Sequence, residues 1–266
     1  MNDPFYYLYN NKGKEIRQKF AQKCFDYFEV PEKYNEIIPL FEKIHCFSLI
    51  IDDIQNKSTK KRNKDCVHIK YGIPWTIASS LSIYMNIITF ISNNFDKKIL
   101  SIVLNNLNNA FKAQLKEIYY RDKNSKKCIT YNEYIEIISG KTSALFKMII
   151  EISYFLGKNK TENIKDITSI IIDYGILFQI KDDYNNLTNT KKEFAKDLDE
   201  KKYSYIIVKF FEKNPNDKVF QELFYKDDKT ILEKKKIINI LKYEINECNN
   251  YINQLKKQIK DKIKNK

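Results

Sequence analysis

The sequence predicts an all-α protein, and three features of it carry that prediction. Only 5 glycines and 5 prolines occur among 266 residues, whereas sheet proteins need frequent turn residues. Apolar residues recur three and four positions apart in several long segments, which is the spacing of an amphipathic helix. Strand-like alternation is missing from the sequence. We therefore expect a single helical domain over residues 1–266, built from eight to ten helices.

The helices are predicted from apolar runs taken in chain order. Ile44, Phe47 and Ile51 form a run that leads into Asp52. Later runs are marked by Ile137, Leu145, Ile149 and Ile152, and by Ile170, Tyr174 and Leu177. Polar breaks are expected near residues 57–66, 95–98, 122–130, 157–163, 188–200 and 213–218. These breaks divide the chain into helices without giving a convincing domain boundary.

Two segments raise the question of a membrane. Residues 71–95 lack charge and are long enough to span a bilayer, but they carry many Ser, Thr and Asn residues. A helix buried in a bundle is the better prediction for them. A basic amphipathic helix from about residue 230 to the end has two interpretations: contact with a membrane or partner, or a packed helix with a solvated polar face. We expect the packed helix and no transmembrane segment.

The cysteines and the N-terminus indicate a cytoplasmic protein. Five cysteines are scattered without CxxC spacing, which is typical of reduced thiols. With only His45 and His68, a Cys/His zinc site is not expected. The opening "MNDPFYYLYN" lacks the basic and apolar regions of a signal peptide.

The formal net charge of +13 suggests an anionic partner. A protein that binds nucleic acid or a membrane surface should show clustered lysines interleaved with exposed aromatic residues. In this chain the lysines are spread along the sequence, and the aromatic residues fall mostly on apolar helical faces. We therefore place this class last and expect no nucleic-acid partner, so that much of the charge is solvated surface.

Two aspartate pairs carry the chemistry. Asp52 and Asp53 end one apolar run, and Asp182 and Asp183 end another, each within a DDxxN pattern. Position i+4 lies on the same helical face as position i, so Asn56 should neighbour Asp52. Adjacent carboxylates need a compensating cation. Mg²⁺ fits, because it prefers oxygen ligands and is often held by one or two carboxylates together with substrate phosphates. Two such pairs facing each other across a bundle would hold a magnesium diphosphate.

Around these pairs, further segments complete a resemblance. They are "KGKEIRQKF", "HCFSLIIDDIQNKS", "VHIKYGIP", "YYRD", "GKTSALF", "GILFQIKDDYNNL" and "FAKDLDEKKYSY". In this order and spacing the chain resembles the polyprenyl synthetase family of trans-isoprenyl diphosphate synthases, and most of all the eukaryotic geranylgeranyl diphosphate synthases. The resemblance implies an isoprenoid synthase-type helical bundle around a central apolar cavity. It also implies Mg²⁺-dependent condensation of isopentenyl diphosphate with dimethylallyl, geranyl or farnesyl diphosphate, and a homodimer or larger assembly.

The resemblance also assigns roles to individual residues. Those matching the contacts of isopentenyl diphosphate are Lys14, Arg17, His45 and Arg62. Those matching the contacts of the allylic diphosphate are Lys61, Lys141, Thr142, Gln179, Lys192 and Lys202. The matching metal ligands are Asp52, Asn56 and Asp182. The catalytic set comprises Asp52, Asp53, Lys141, Asp182 and Asp183. Each of these alone is an ordinary helix or surface residue, and only their joint spacing favours the functional interpretation.

Two departures from the family pattern keep a second hypothesis open. The first family motif is DDxxD, whereas Asn56 in this chain supplies an amide without charge. Lys61 replaces the usual arginine and loses its planar, two-pronged contact with phosphate. The alternative to an active synthase is therefore a weakly active or non-catalytic subunit that binds prenyl diphosphates beside an active partner. Because most basic positions remain basic, we expect an enzyme.

Product length is predicted from the residues that precede the first motif. Phe47 lies five residues before Asp52, and in the family an aromatic residue there is associated with shorter products. Phe47 and Ser48 are therefore the candidate chain-length residues, with Phe47 shortening the cavity toward a farnesyl product. The alternative is that Phe47 only packs against a neighbouring helix. Overall resemblance favours geranylgeranyl diphosphate.

Overall fold

A computed structural model describes residues 3–62, 64–122, 128–160, 163–189 and 194–264. It confirms the all-α class. Its α-helices are α1 (Pro4–Tyr9), α2 (Ile16–Tyr27), α3 (Ile38–Gln55), α4 (Val67–Tyr71), α5 (Ile73–Asn94), α6 (Lys97–Asp122), α7 (Tyr131–Ile138), α8 (Ala144–Leu156), α9 (Ile164–Thr188), α10 (Lys196–Asp199), α11 (Tyr205–Lys213), α12 (Lys218–Tyr225), α13 (Ile231–Ile240) and α14 (Lys242–Lys264). A 3₁₀ helix covers Glu32–Ile37, and a π-helical turn covers Ser139–Ser143. Strands β1 (Lys60–Lys61) and β2 (Lys64–Asp65) pair antiparallel.

The chain divides into two compact units. Unit 1 comprises residues 1–106 and 145–167, and unit 2 comprises residues 107–144 and 168–266. In unit 1, α3 packs against α1, α2 and α5 around buried residues such as Phe5, Phe41 and Ile50. In unit 2, α11 packs against α7 and α14 beside the buried rings of Phe220 and Phe224. Each unit therefore has its own apolar core, and each contains one aspartate pair.

Capping signals in the sequence explain where some helices begin. Thr130 and Glu133 form a capping box at the start of α7, and Thr230 and Glu233 form another at the start of α13. In each box the threonine hydroxyl accepts a bond from a free backbone N–H, and the glutamate accepts one in return. The second box confirms that a helix begins at about residue 230.

The number of helices and the C-terminal helix differ from the prediction. Fourteen α-helices occupy the described residues, because several short helices of four to six residues lie between the long ones. The basic C-terminal segment forms two helices rather than one, since Leu241 leaves helical geometry with ψ near 4°. Leu241 is fully buried, and the turn there lets the apolar sides of α13 and α14 both enter the core. Tertiary packing thus overrides a continuous helical pattern.

Helix α14 is a packed helix, as expected. Its apolar face is buried in unit 2, through Ile245, Cys248, Ile252, Leu255 and Ile259. Near its end, Lys262 forms an ion pair of 2.5 Å with Asp173 of α9. The five cysteines are all free thiols.

Helix α5 is only partly buried. Its buried face includes Thr76, Ser80, Ile83 and Ile87, whereas its other face exposes large apolar side chains, namely Ile73, Trp75, Ile77, Leu81 and Met85. By length and composition alone, α5 is the one helix in the described residues that is long and apolar enough to cross a membrane. In its most apolar stretch of 18 residues, 28% of the residues are buried. The predicted helix is confirmed, but its predicted burial holds for one face only.

Candidate active site

The first aspartate motif lies at the C-terminal end of α3 in unit 1. Asp52 is half-buried, and the side-chain Nδ2 of Asn56 donates to its Oδ2 at 3.1 Å. Asn56 is also the C-cap residue of α3, with its backbone N–H bonded to the carbonyl oxygen of Asp52. The predicted neighbourhood of positions 52 and 56 is therefore observed. As a neutral donor, the amide stabilises the Asp52 carboxylate without adding a second negative charge.

The second aspartate of this motif is buried and holds a lysine. Asp53 is 2% exposed, and its Oδ1 lies 2.8 Å from the Nζ of Lys61 on β1. Ile50, three residues earlier on the same face, is also buried. Asp53 therefore faces the core side of α3 and fixes the position of Lys61, whereas Asp52 is the more accessible carboxylate.

Several predicted cation positions meet around His45. Burial lowers the pKa of His45 well below its ordinary value, and the charges of Arg17, Arg62 and Lys61 lower it further. The imidazole is therefore neutral at neutral pH, with one N–H to donate. The guanidinium of Arg17 lies over the ring of Phe146, 5.3 Å from its centroid. Three cations and a neutral donor suit a diphosphate.

A glycine allows Arg62 to approach the segment before α2. A side chain at Gly13 would place its Cβ 2.6 Å from Nη2 of Arg62, which is too close for real atoms. Nη1 of Arg62 donates to the carbonyl oxygen of Asn11. Lys14 is exposed nearby, and its carbonyl oxygen accepts a bond of 2.9 Å from Nζ of Lys19. Arg62 therefore lies against the segment before α2 that also contains Lys14.

Sequence reasoning missed Glu42 in unit 1. This residue is 6% exposed, and burial raises its pKa although Arg17 and Arg62 lower it. It lies on α3 four residues after Ile38 and four before Cys46, which are both buried. An acid on a buried face beside two arginines balances their charge, and its place in the apolar pattern was a signal that could have identified it.

The second aspartate motif, in unit 2, also places an accessible aspartate beside a buried one. Asp182 is exposed on α9, whereas Asp183 is fully buried. The Asp183 carboxylate accepts bonds from the Tyr134 hydroxyl at 2.8 Å, the Tyr205 backbone N–H at 2.9 Å and Nε2 of Gln179 at 2.9 Å. Nζ of Lys202 lies 3.6 Å from its Oδ1. Asp183 is therefore a saturated acceptor that organises its neighbours, and Asp182 is the accessible carboxylate.

Four of the six predicted contacts of the allylic substrate are described in unit 2, which also holds Asp183. Lys141 and Thr142 lie in the π-helical turn between α7 and α8, which interrupts the run predicted from Ile137 to Ile152. π-Helical turns are frequent at functional sites. The Thr142 hydroxyl donates to Oε1 of Gln179 at 2.9 Å, which continues the network from Gln179 to Asp183. Lys141 is ion-paired with Glu117, a residue that sequence reasoning missed.

Asp197 is a further residue missed at this site. Its backbone N–H donates to Oδ1 of Asn186 at 3.1 Å, so the asparagine of the second motif contacts α10. The Asp197 carboxylate lies 3.6 Å from Nζ of Lys202. Burial disfavours the charge of Lys202, but Asp197 and Asp183 raise its pKa well above the ordinary value. Asp197 stands in the "FAKDLDEKKYSY" segment, whose match to the family was the available signal.

A pocket in unit 2 opens onto these groups. Its polar lining includes Lys141, Thr142, Gln179 and Lys202, and its apolar lining includes Ile137 and Ile138. Within unit 2, the structure thus brings four of the predicted allylic contacts to one pocket. Of the other two predicted contacts, Lys61 lies beside Asp53 in unit 1, and Lys192 lies outside the described residues.

The candidate chain-length residues lie on α3. Phe47 is 5% exposed and stacks on Tyr84 of α5, with ring centroids 4.8 Å apart. Ser48 is exposed, and its hydroxyl donates to the carbonyl oxygen of His45 at 2.8 Å. Phe47 does pack against a neighbouring helix, and its effect on product length stays a prediction.

The oxygen donors of both motifs suit Mg²⁺. Among the described residues, no three His, Cys, Asp or Glu side chains converge as a metal centre of protein ligands alone. Asp52, Asn56 and Asp182 are hard oxygen donors, and two of them are carboxylates. In each unit, such donors fit a cation that shares its coordination with substrate phosphates, which is the usual situation for Mg²⁺.

The fold is that of the all-α isoprenoid synthases. The structure matches the crystal structure of geranylgeranyl pyrophosphate synthetase from Pyrococcus horikoshii with a TM-score of 0.83 at 23% sequence identity. The match covers 98% of this chain and 83% of that one. Residues 1–241 match the family model described as polyprenyl synthetase. The chain therefore belongs to the polyprenyl synthetase family.

Curated relatives carry geranylgeranyl names. The chain is 35% identical over 219 residues to geranylgeranyl pyrophosphate synthase penG of Penicillium crustosum, covering 80% of this chain and 62% of that protein. It is 29% identical over 248 residues to geranylgeranyl pyrophosphate synthase of Mucor circinelloides f. lusitanicus, covering 90% and 79%. The chain thus spans about three fifths of the first of these relatives.

Proposed function

We propose that this protein is a trans-prenyltransferase, acting as one synthase domain, that condenses isopentenyl diphosphate with an allylic diphosphate. The observation that carries the proposal is the shared arrangement of the two aspartate motifs. In each, one accessible aspartate stands beside a buried aspartate that holds a lysine, Lys61 in one unit and Lys202 in the other. An accessible acid and a fixed cation are what a metal-bound diphosphate needs.

Each substrate has its own residues in this proposal. Lys14, Arg17, Arg62 and the neutral imidazole of His45 bind the diphosphate of isopentenyl diphosphate, while Lys61, Lys141, Thr142, Gln179, Lys192 and Lys202 bind the allylic diphosphate. The allylic C–O bond breaks, and the diphosphate leaves with the electron pair. The double bond of isopentenyl diphosphate then attacks the allylic carbon, and a proton is lost. Apolar walls keep water from the allylic carbocation that forms when the diphosphate leaves.

Asp52, Asn56 and Asp182 would hold Mg²⁺. When bound, the metal neutralises charge on the diphosphate and stabilises its departure. Asp53 and Asp183 act differently, because they are buried and hold Lys61 and Lys202 in place. We assign them positioning roles.

The reaction is tested by product formation. The purified chain is incubated with Mg²⁺, labelled isopentenyl diphosphate and, in turn, dimethylallyl, geranyl and farnesyl diphosphate, and products are separated by chain length. Elongation is expected, with geranylgeranyl or farnesyl diphosphate as the longest product. Absence of product from both the wild type and Asn56→Asp would overturn the enzyme proposal.

Asn56→Asp distinguishes the hypothesis of an active enzyme from that of a non-catalytic subunit. The change adds a negative charge beside Asp52, so we expect Mg²⁺ to bind about tenfold more tightly. Without metal it should lower the melting temperature, because a second carboxylate at the C-terminal end of α3 opposes the helix dipole. Metal titration and thermal unfolding with and without Mg²⁺ measure both effects.

Asn186→Asp is the matched control for this prediction. It makes the same chemical change in the second motif, where Asn186 accepts a bond from Asp197. Product from Asn56→Asp but none from the wild type would favour the subunit that binds prenyl diphosphates beside an active partner. Equal effects of the two substitutions on Mg²⁺ binding would contradict a special role for position 56.

Phe47→Ala tests product length. Removing the ring that stacks on Tyr84 should lengthen the longest product by at least one five-carbon unit, if Phe47 limits the cavity. The same change should destabilise the fold by about 3–5 kcal/mol, since a buried ring is lost. Tyr84→Phe keeps the stack and serves as control. An unchanged product in folded Phe47→Ala would remove Phe47 from chain-length control.

A homodimer is part of this proposal. The exposed apolar side chains of α5, among them Trp75, Leu81 and Met85, are a face that a second copy would cover. Sedimentation equilibrium at micromolar concentration should give a dimer mass, and a monomer there would exclude this assembly. Cytoplasmic location also remains a prediction, to be checked by imaging the tagged chain in cells.

A further inference from the structure

The segment of residues 194–202 carries two groups of the second site, Asp197 and Lys202, on a backbone with little support of its own. Helix α10 within it is a single turn, which is unstable in isolation. On either side of that turn, Ala195 and Lys201 adopt left-handed conformations with φ of 49° and 50°. Residues other than glycine disfavour this conformation. The segment therefore depends on contacts from elsewhere in unit 2.

Those contacts come from residues 226–234, between α12 and the second turn of α13. Nζ of Lys229 donates to the carbonyl oxygen of Leu198 at 2.8 Å and to that of Lys226 at 2.7 Å. Nζ of Lys234 donates to the carbonyl oxygen of Phe194 at 3.2 Å and is ion-paired with Asp199. The two lysines therefore contact the beginning and the middle of the segment.

A third contact reaches Lys201, the left-handed residue near the end of the 194–202 segment. Asp227 forms an ion pair of 2.5 Å with Lys201. Lys229 itself is 8% exposed, and burial lowers its pKa to about 8. A buried ammonium is costly unless it is satisfied, and that of Lys229 donates to two backbone carbonyls. These hydrogen bonds thus fix the path of the main chain.

We propose that Lys229 and Lys234 are positioning residues that hold the 194–202 segment so that Lys202 stays beside Asp183, and thereby set the affinity for the allylic diphosphate. This inference rests on the proposed function. The link is geometric. The backbone N–H of Lys202 donates to the carbonyl oxygen of Asp197 at 2.9 Å, and its Nζ lies 3.6 Å from both Asp183 and Asp197. When the segment loosens, Lys202 loses Asp183, its carboxylate partner outside the segment.

Lys229→Met tests the inference, because methionine keeps an apolar stem and removes both hydrogen bonds. Hydrogen exchange of the amides of residues 195–202 should become about tenfold faster, since a charged hydrogen bond no longer opposes local opening. The KM for the allylic diphosphate should rise about fivefold, while the KM for isopentenyl diphosphate stays unchanged. Lys236→Met, an exposed lysine on the same helix as Lys234, is the matched control.

Asp227→Asn provides a second variant for the case in which Lys229→Met does not fold. Asp227 is exposed, so its loss threatens the core little, yet it removes the ion pair with Lys201. Unchanged exchange in residues 195–202 in the folded variants would overturn the inference, as would equal rises in both KM values. The exchange measurement needs no turnover. Failure of the proposed function would instead appear as absence of product from the wild type.

Discussion

Asp182→Asn should lower kcat/KM for prenyl transfer by about a thousandfold, the size of effect seen when one preorganised charge-stabilising group is removed. In the proposed function Asp182 is the metal ligand of the second motif, and asparagine supplies an oxygen without its charge. Because Asp182 is exposed on α9, the fold should be unaffected and the melting temperature should change little. Steady-state kinetics at saturating Mg²⁺, together with thermal unfolding, measure both outcomes.

Asp173→Asn is the control for this experiment. It makes the same change of charge on the same helix, at a residue paired with Lys262 outside the motif. We expect it to keep near-normal kcat/KM. Comparable losses in the two variants would show that α9 responds to any loss of negative charge, and Asp182 would lose its proposed role. A loss in Asp182→Asn that higher Mg²⁺ partly restores would identify weakened metal binding as the cause.

Asp183 is the next residue of the same motif, but its substitution should have a different effect from that of Asp182→Asn. Asp183→Ala should destabilise the fold by about 3–5 kcal/mol. The buried carboxylate accepts bonds from Tyr134, Gln179 and the Tyr205 backbone, and Lys202 lies 3.6 Å away. Its removal leaves buried donors without an acceptor. Denaturant unfolding monitored by circular dichroism should give a lower midpoint than for the wild type.

Asp183→Asn separates shape from charge in this network. The amide has nearly the same size but one oxygen fewer, so we expect a smaller loss of stability than with alanine. We also expect a clear loss of activity, because Lys202 keeps the charge of only one of its two carboxylate partners, Asp197. If the unfolding midpoint of Asp183→Ala matched that of Asp182→Asn, the buried network would not stabilise the protein. Such a result would contradict the division of roles between an accessible metal ligand, Asp182, and a buried positioning residue, Asp183.

Much of the fold and of the site was predictable from the sequence. Helical spacing of apolar residues, together with few glycines and prolines, indicated the all-α class, which the structure confirms. The i, i+4 relation placed Asn56 beside Asp52, as observed. The same spacing also held a signal about Asp183, because Ile180 and Leu187, three residues before and four after it, are buried on its face. Such relations are local, and helix geometry alone fixes them.

The sequence by itself determined the helical class, the family motifs and the neighbours within each helix. Only the tertiary structure decided which lysine each buried aspartate holds, Lys61 for Asp53 and Lys202 for Asp183. It alone showed Glu42 beside two arginines, and Lys229 bonded to the carbonyl oxygen of Leu198. These partners are far apart along the chain or lie across a turn. Their meeting depends on how loops reverse the chain and how helices pack, which the period of a single helix does not contain.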